Sequence, residues 1–165
     1  RLSEGMGVLA ESPLYIDDTP GQSILELRTK ARRLHSQVGV KLLIVDYLQL
    51  CIGDKNYDSR VQEVGAISQG LKNLARELKI PVLALSQLNR GLESRTDRTP
   101  MLADLRESGS IEQDADVVMF LSRADENNLE DVKLSIAKHR NGALGTMDLK
   151  FRGDRVKFYG VDRGR

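Results

Sequence analysis

The sequence predicts an α/β fold: a mostly parallel sheet with helices on both faces and a C-terminal antiparallel hairpin. Three observations carry this. In KLLIVDYLQL, residues 41–50, four apolar residues run straight into one carboxylate, Asp46. That is the pattern of a buried parallel strand delivering an acid to the sheet's carboxyl edge, where open α/β sheets bind ligands. In PVLALSQLNR, residues 81–90, the same design ends in a polar tip, Ser86 and Gln87. Between and before these strands lie two segments with helical apolar spacing, so the order is βαβαβ, followed by further strands.

Each element has its own signal. Residues 14–17, LYID, read as a short strand. Ser23 and Glu26 form the S-x-x-E of a capping box. Ile24, Leu27, Ala31, Leu34 and Val38 then recur at steps of three and four, an apolar helix stripe that Gly39 is placed to stop. The strand to Asp46 follows. GDKNYDSR, residues 53–60, is polar and aperiodic and reads as a mobile loop. Val61, Val64, Ile67, Leu71, Leu74 and Leu78 make a second stripe, closed by Pro81. After the strand at 82–85 comes a long polar stretch, residues 89–99. Ser110 and Gln113 suggest a second capping box over a short helix. Residues 117–121 and 132–137 read as strands, and 146–151 with 156–158 as a hairpin closing around Gly153 and Asp154.

Composition bounds the chain without naming a partner. At 165 residues it fits one domain or part of one, with room for a sizeable core. Apolar content of 40% with 30% charged residues excludes a disordered chain. A net charge of +1 means that any nucleic-acid contact must rest on local cations rather than on the average field. The single cysteine, Cys51, excludes an intrachain disulfide, suits a reducing compartment and reads as a small buried hydrophobe. No apolar stretch reaches membrane-spanning length and no signal peptide opens the chain, so a cytoplasmic location with no membrane partner is expected. The start at Arg1, without methionine, suggests a piece of something longer.

Read from the strand alone, Asp46 fits either a turn-capping acid or a metal-ordering one. Mg²⁺ keeps several waters and takes few protein carboxylates, so one Asp at a strand tip suffices in nucleotide hydrolases. Gln87 is likewise either a strand-end amide satisfying backbone groups or a phosphate sensor, since an amide both donates and accepts.

Five segments, in order, carry a resemblance that spans most of the chain: YIDD at 15–18, IVDYLQL at 44–50, ALSQLNR at 84–90, DLRESGSIEQDADVVMF at 104–120 and KHRNGALGT at 138–146. Together they resemble the C-terminal motor domain of the bacterial replicative DNA helicases, the DnaB family. The resemblance implies a RecA-like P-loop NTPase fold, with residues 1–165 forming the C-terminal portion of a single motor domain. It implies an enzyme that uses ATP and Mg²⁺, assembles as a homo-hexamer on single-stranded DNA, and works with a primase and a helicase loader.

The resemblance also implies roles. Asp46 matches the Walker B aspartate that orders Mg²⁺, and Gln87 the residue that senses the γ-phosphate. The stretch after Gln87, with Arg90, Arg95 and Arg98, is then a plausible receiver of that signal. Lys138 and Arg140 match the pair that reaches a neighbouring subunit's nucleotide; on composition alone they would be two solvated cations of a hairpin. His139, between them, should face the other way and is assigned no chemistry. Arg106, Glu107 and Gly109 match the loop that tracks DNA phosphates: a guanidinium and backbone N–H groups grip phosphate, and Glu107 positions Arg106 or bonds a neighbouring subunit. No aromatic residue lies nearby to stack on bases. Lys55 and Arg60 are weaker candidates for the same channel.

The departures from the family are equally plain. The 165 residues contain no G-x-x-x-x-G-K-[ST] loop to cradle phosphates. The family's catalytic glutamate lies on the strand after that loop, and the family also has an N-terminal helical domain; neither is expected here. The segment alone is therefore expected to be hydrolytically dead, with a groove among its strands. An alternative reading is a RecA-like recombinase or switch ATPase that binds DNA or assembles with ATP without unwinding. A third is an interaction module that needs no nucleotide. The DLRESGSIEQDAD segment favours the helicase, because the relatives share the strands and Walker B more than this loop.

Overall fold

A computed structural model of the chain describes residues 2–95, 97–125 and 128–161, with the side chains of residues 2–4, 90, 93, 106–109 and 125 left aside. The first helix, α1 (Leu2–Glu11), has no counterpart in the sequence reading. The next helix, α2 (Ile24–Val38), carries the predicted capping box: the Glu26 amide donates to Ser23 Oγ at 3.2 Å, and the Ser23 amide donates to Glu26 Oε2 at 2.9 Å. Such a cap contributes about 1 kcal/mol. Gly39 ends α2 at φ 67°, a left-handed turn that favours glycine.

Residues 14–17, expected as a strand, lie outside every ladder. They are held from the side instead. Asp17 accepts the Thr19 hydroxyl at 2.7 Å and pairs with Lys30 of α2 at 2.7 Å. A strand signal in sequence needs a neighbouring edge to become a strand, and none flanks this segment among the described residues.

Strand β1 (Leu43–Val45) feeds helix α3 (Arg60–Leu78), which returns the chain to β2 (Val82–Ala84). The two strands pair in parallel, Leu43 opposite Val82 and Val45 opposite Ala84. Ser59 caps α3, accepting from the Gln62 amide at 3.3 Å. The helix ends at Lys79, left-handed at φ 55°, rather than at the Pro81 stop expected from sequence: the turn at Lys79 has already redirected the chain.

Two short 3₁₀ segments, Arg90–Ser94 and Leu102–Ser108, occupy much of the ground between β2 and helix α4 (Gly109–Asp114). Helix α4 begins at Gly109, so Ser110 sits inside it and is not the N-cap of the expected second capping box. Four strands follow: β3 (Val117–Asp125), β4 (Asn128–His139), β5 (Gly145–Arg152) and β6 (Lys157–Gly160). They form an antiparallel sheet in simple sequential order. Parallel pairing is thus confined to β1 and β2, and the expected hairpin is the end of a larger antiparallel extension. Connections of a few residues permit only antiparallel neighbours, whereas β1 and β2 are joined through the 19-residue helix α3.

Strand β4 carries a bulge. Ile136 lies opposite Met119 and Lys138 opposite Val118, which leaves Ala137 as the surplus residue. One face of the antiparallel sheet is apolar and open, with Met119, Leu121, Met147 and Phe158 all exposed. Strands β2 and β3 each pair on one side only, and the two sheets share no ladder, which agrees with the groove expected among the strands.

The core sits under α3. Val64, Ile67, Leu71 and Leu74, at steps of three, four and three, bury one helical stripe, and Ile67 and Leu74 are fully inaccessible. This stripe joins Val45 and Leu48 to Leu105, Ile111, Val118 and Phe120, so one apolar cluster holds both sheets. Helix α2 approaches α3 over Gly70, where a side chain would place its Cβ 2.6 Å from Ile24 Cγ1. Cys51 is buried as expected, and burial pushes its thiol up.

Candidate functional site

Because β1 and β2 are parallel neighbours in register, their carboxyl ends open on one rim. The Leu85 amide donates to the Val45 carbonyl at 2.9 Å, and the Leu48 amide to the Leu85 carbonyl at 2.9 Å. Asp46 and Gln87, the two sequence-predicted tip residues, therefore leave adjacent strand ends, and both are exposed. The peptide joining Asp46 to Tyr47 is cis. The Asp46 side chain makes no hydrogen bond or ion pair among the described residues, so its carboxylate faces solvent without a competing cation.

A residue that sequence reasoning passed over closes this rim. Gln49 lies in the 3₁₀ turn Leu48–Leu50 after β1. Its Nε2 donates to Ser86 Oγ at 3.0 Å and to the Gln87 carbonyl at 3.2 Å, while its Oε1 accepts the Gln87 amide at 3.3 Å. One side-chain amide thus satisfies both backbone groups of Gln87, as another strand residue would. The signal was available: a lone amide inside the run YLQLC is costly to leave without partners.

The stretch after Gln87 folds back as one block. The Asn89 amide donates to the Asp104 carbonyl at 3.3 Å. Arg95, named as a receiver of the Gln87 signal, pairs with Asp104 at 2.6 Å, and the Met101 amide donates to the same carboxylate at 2.7 Å. Asp104 opens the segment that holds the expected DNA contacts. Arg106 and Glu107 lie in the 3₁₀ segment Leu102–Ser108 and Gly109 opens α4; their side chains, like that of Arg90, lie outside the description. Of the weaker candidates, Lys55 sits over the Tyr57 ring at 5.4 Å. Arg60 is bonded to Glu63 Oε2 and to the Gln49 carbonyl, both at 2.6 Å.

Lys138 and Arg140 are both engaged within their own chain. The bulge at Ala137 sets Lys138 opposite buried Val118, on the face that α4 covers, and its ammonium donates to the Glu112 carbonyl of α4. The Arg140 guanidinium lies 3.0 Å from Asp116, and the Arg140 amide donates to the Asp116 carbonyl at 2.8 Å. Asp116 also pairs with Lys72 of α3, and Lys72 first, then Arg140, holds its carboxyl below the usual carboxylate range. The two cations thus share one side of the molecule, as their spacing predicts, and Arg140 remains half exposed. The His139 ring lies against Gly142.

Mg²⁺ fits the donor set at the rim. A single open carboxylate beside polar Gln87 suits an ion that keeps most of its water, and no cluster of three or more metal-ligating side chains occurs among the described residues. A surface cleft of about 460 Å³ lined by Lys150, Arg152 and Tyr159 lies on the hairpin side, away from these tips in the fold. Its cations are already paired, Lys150 with Asp131 and Arg152 with Asp154.

Known structures and sequences agree with this architecture. The chain superposes on a solved helicase ATPase domain with a TM-score of 0.90 and 41% identity, covering 98% of this chain and 59% of that one. A DnaB-like replicative helicase whose structure was determined with its primase interactions gives the same TM-score at 40% identity, covering 98% and 41%. The architecture is therefore that of a RecA-like ATPase domain. A family model described as the DnaB-like helicase C-terminal domain matches residues 1–160, and the chain belongs to that family. The replicative DNA helicase DnaC of Bacillus subtilis is 49% identical over 99% of this chain, and DnaB of Mycobacterium leprae 52% identical over 89%. The chain spans 37% and 25% of the length of those two relatives. No helix among the described residues is long and apolar enough to cross a membrane.

Proposed function

We propose that this chain is part of a ring-shaped, ATP-driven DNA helicase of the cytoplasm that moves along single-stranded DNA and parts the duplex. The observation that carries the proposal is the shared rim: Asp46 and Gln87 leave adjacent parallel strands, as a metal-ordering acid and a γ-phosphate sensor must. Asp46 would hold Mg²⁺, which neutralises charge developing on the phosphates of bound ATP. Gln87 donates to, or releases, the terminal phosphate. Lys138 and Arg140 serve the nucleotide of a neighbouring subunit in a homo-hexamer, Arg140 leaving Asp116 to do so. Arginines supplied in trans accelerate phosphoryl transfer by ~10³–10⁵ in other systems. Arg106, Glu107 and the backbone at Gly109 follow the DNA phosphates, and the Arg95 pair with Asp104 gives a route by which the stretch after Gln87 moves that segment. The naming of relatives as replicative helicases, one of them described with primase, supports a primase and a loader as partners.

The 165 residues hold no phosphate cradle, so the test belongs to the intact protein. It should unwind a forked duplex only with ATP and Mg²⁺ present. Formation of filaments on DNA without unwinding would overturn the helicase reading in favour of a recombinase-like role.

A further inference from the structure

We infer that Gln49 is a positioning residue that couples Gln87 to the loop at residues 53–59, and so gives the nucleotide state a second route to the DNA side of the domain. The inference rests on the reading of Gln87 as phosphate sensor. It starts where the parallel ladder stops. Beyond Leu85 no backbone group of β1 remains to pair with Gln87, and the Gln49 amide takes over, accepting from the Gln87 N–H and donating to its C=O. The direction in which the Gln87 side chain leaves the backbone is therefore fixed by Gln49.

Gln49 is gripped from the other side. Its own carbonyl accepts from Arg60 Nη2 at 2.6 Å, and Arg60 Nη1 bonds Glu63 Oε2 at 2.6 Å. Glu63 Oε1 in turn accepts the Gly53 amide at 2.8 Å. The chain Gln87, Gln49, Arg60, Glu63, Gly53 thus ties the sensor to both ends of the loop that presents Lys55. Charged partners shorten and strengthen the last links, and the Gly53 amide with Arg60 holds the Glu63 carboxyl below its usual range. A shift of the Gln87 backbone on phosphate release cannot leave Gln49 in place without breaking two hydrogen bonds. Moving Gln49 displaces the carbonyl on which Arg60 rests. This route is separate from the one through Arg95 and Asp104.

The chemistry demands an amide. Glutamate at 49 keeps the size and the acceptor but loses the Nε2 donor. Alanine loses both. The test uses the intact protein with ATP, ADP, a nonhydrolysable ATP analogue and a single-stranded oligonucleotide, comparing Gln49→Ala, Gln49→Glu and Gln87→Ala. Both Gln49 variants should lose about fivefold or more of the stimulation of hydrolysis by DNA, a change typical of lost coupling between sites. Their DNA affinities with analogue and with ADP should converge, and KM for ATP should stay near the unmodified value while kcat falls. If Gln87→Ala cripples hydrolysis while both Gln49 variants keep full DNA stimulation and nucleotide-dependent affinity, the coupling is wrong and the site reading stands. If Gln87→Ala changes nothing, the sensor reading itself fails. Gln49→Glu, being isosteric, separates lost positioning from a collapsed fold.

Discussion

Asp116 holds Arg140 twice, at the guanidinium with 3.0 Å and at the backbone amide with 2.8 Å, and shares its carboxylate with Lys72, whose side chain is only 13% exposed. An arginine that serves another subunit must give up the first of these contacts. Both partners are about half exposed, so the pair is weak, on the order of 0.2–1 kcal/mol, and exchange is inexpensive. In the intact protein Arg140→Ala should abolish ATP turnover and leave ATP binding largely unchanged, measured by steady-state hydrolysis beside nucleotide titration. Loss of binding with normal turnover of whatever still binds would refute the trans role.

For the DNA contacts the expectation concerns salt. Each phosphate neutralised adds about 0.9 to the slope of log affinity against log salt on duplex, and about 0.7 on a single strand. Arg106→Ala should weaken binding of a single-stranded oligonucleotide and reduce that slope by close to one phosphate's worth, with basal hydrolysis retained. An unchanged slope places the grip elsewhere in the chain.

Packing gives a prediction independent of function. A Cβ at Gly70 would stand 2.6 Å from Ile24 Cγ1, inside the core that α2 and α3 share. Gly70→Ala should therefore destabilise by about 1–3 kcal/mol, the usual cost of overpacking, despite alanine's better helix propensity. Denaturant unfolding of the variant beside the unmodified protein measures it. Equal or higher stability would mean that the two helices move apart at no cost.

Acid should weaken the fold by a defined route. Hydrogen bonds and paired cations hold the carboxyls of Asp17, Glu26, Glu63, Glu77 and Asp116 below their ordinary values of 3.8 for Asp and 4.5 for Glu. A carboxyl whose folded pKa lies below its unfolded one stabilises the fold above the unfolded value and ceases to do so as pH falls through the folded one. Stability should thus be flat from about pH 7 to about 5 and drop below about 4.5. Asp17→Asn should flatten that drop, as followed by thermal unfolding across pH.

How much of this was legible in the sequence depends on whether the signal was local. The Ser23 and Glu26 box, the Gly39 stop, the α3 stripe and the two strand tips are local patterns, and the structure reproduces them. Residues 14–17 carry strand composition, but strand identity lies in a partner edge that composition does not encode. Ser110 and Gln113 match a capping box, yet the preceding 3₁₀ segment delivers the chain into α4 one residue early. Asp46 and Gln87 could be named from sequence because each ends an apolar run. Gln49 and Asp116 could not, since what they do is defined by backbone groups 38 and 24 residues away.

The surplus residue at Ala137 governs more than local twist. A pleated chain alternates sides with every position, so counting on from Ile136 without interruption would turn Lys138 toward the open apolar side. Removing that single residue would reverse the parity of everything after it and strand the ammonium on the wrong surface, with the rest of the strand still intact. Which side of the sheet this cation serves is therefore decided by one alanine with no functional group of its own.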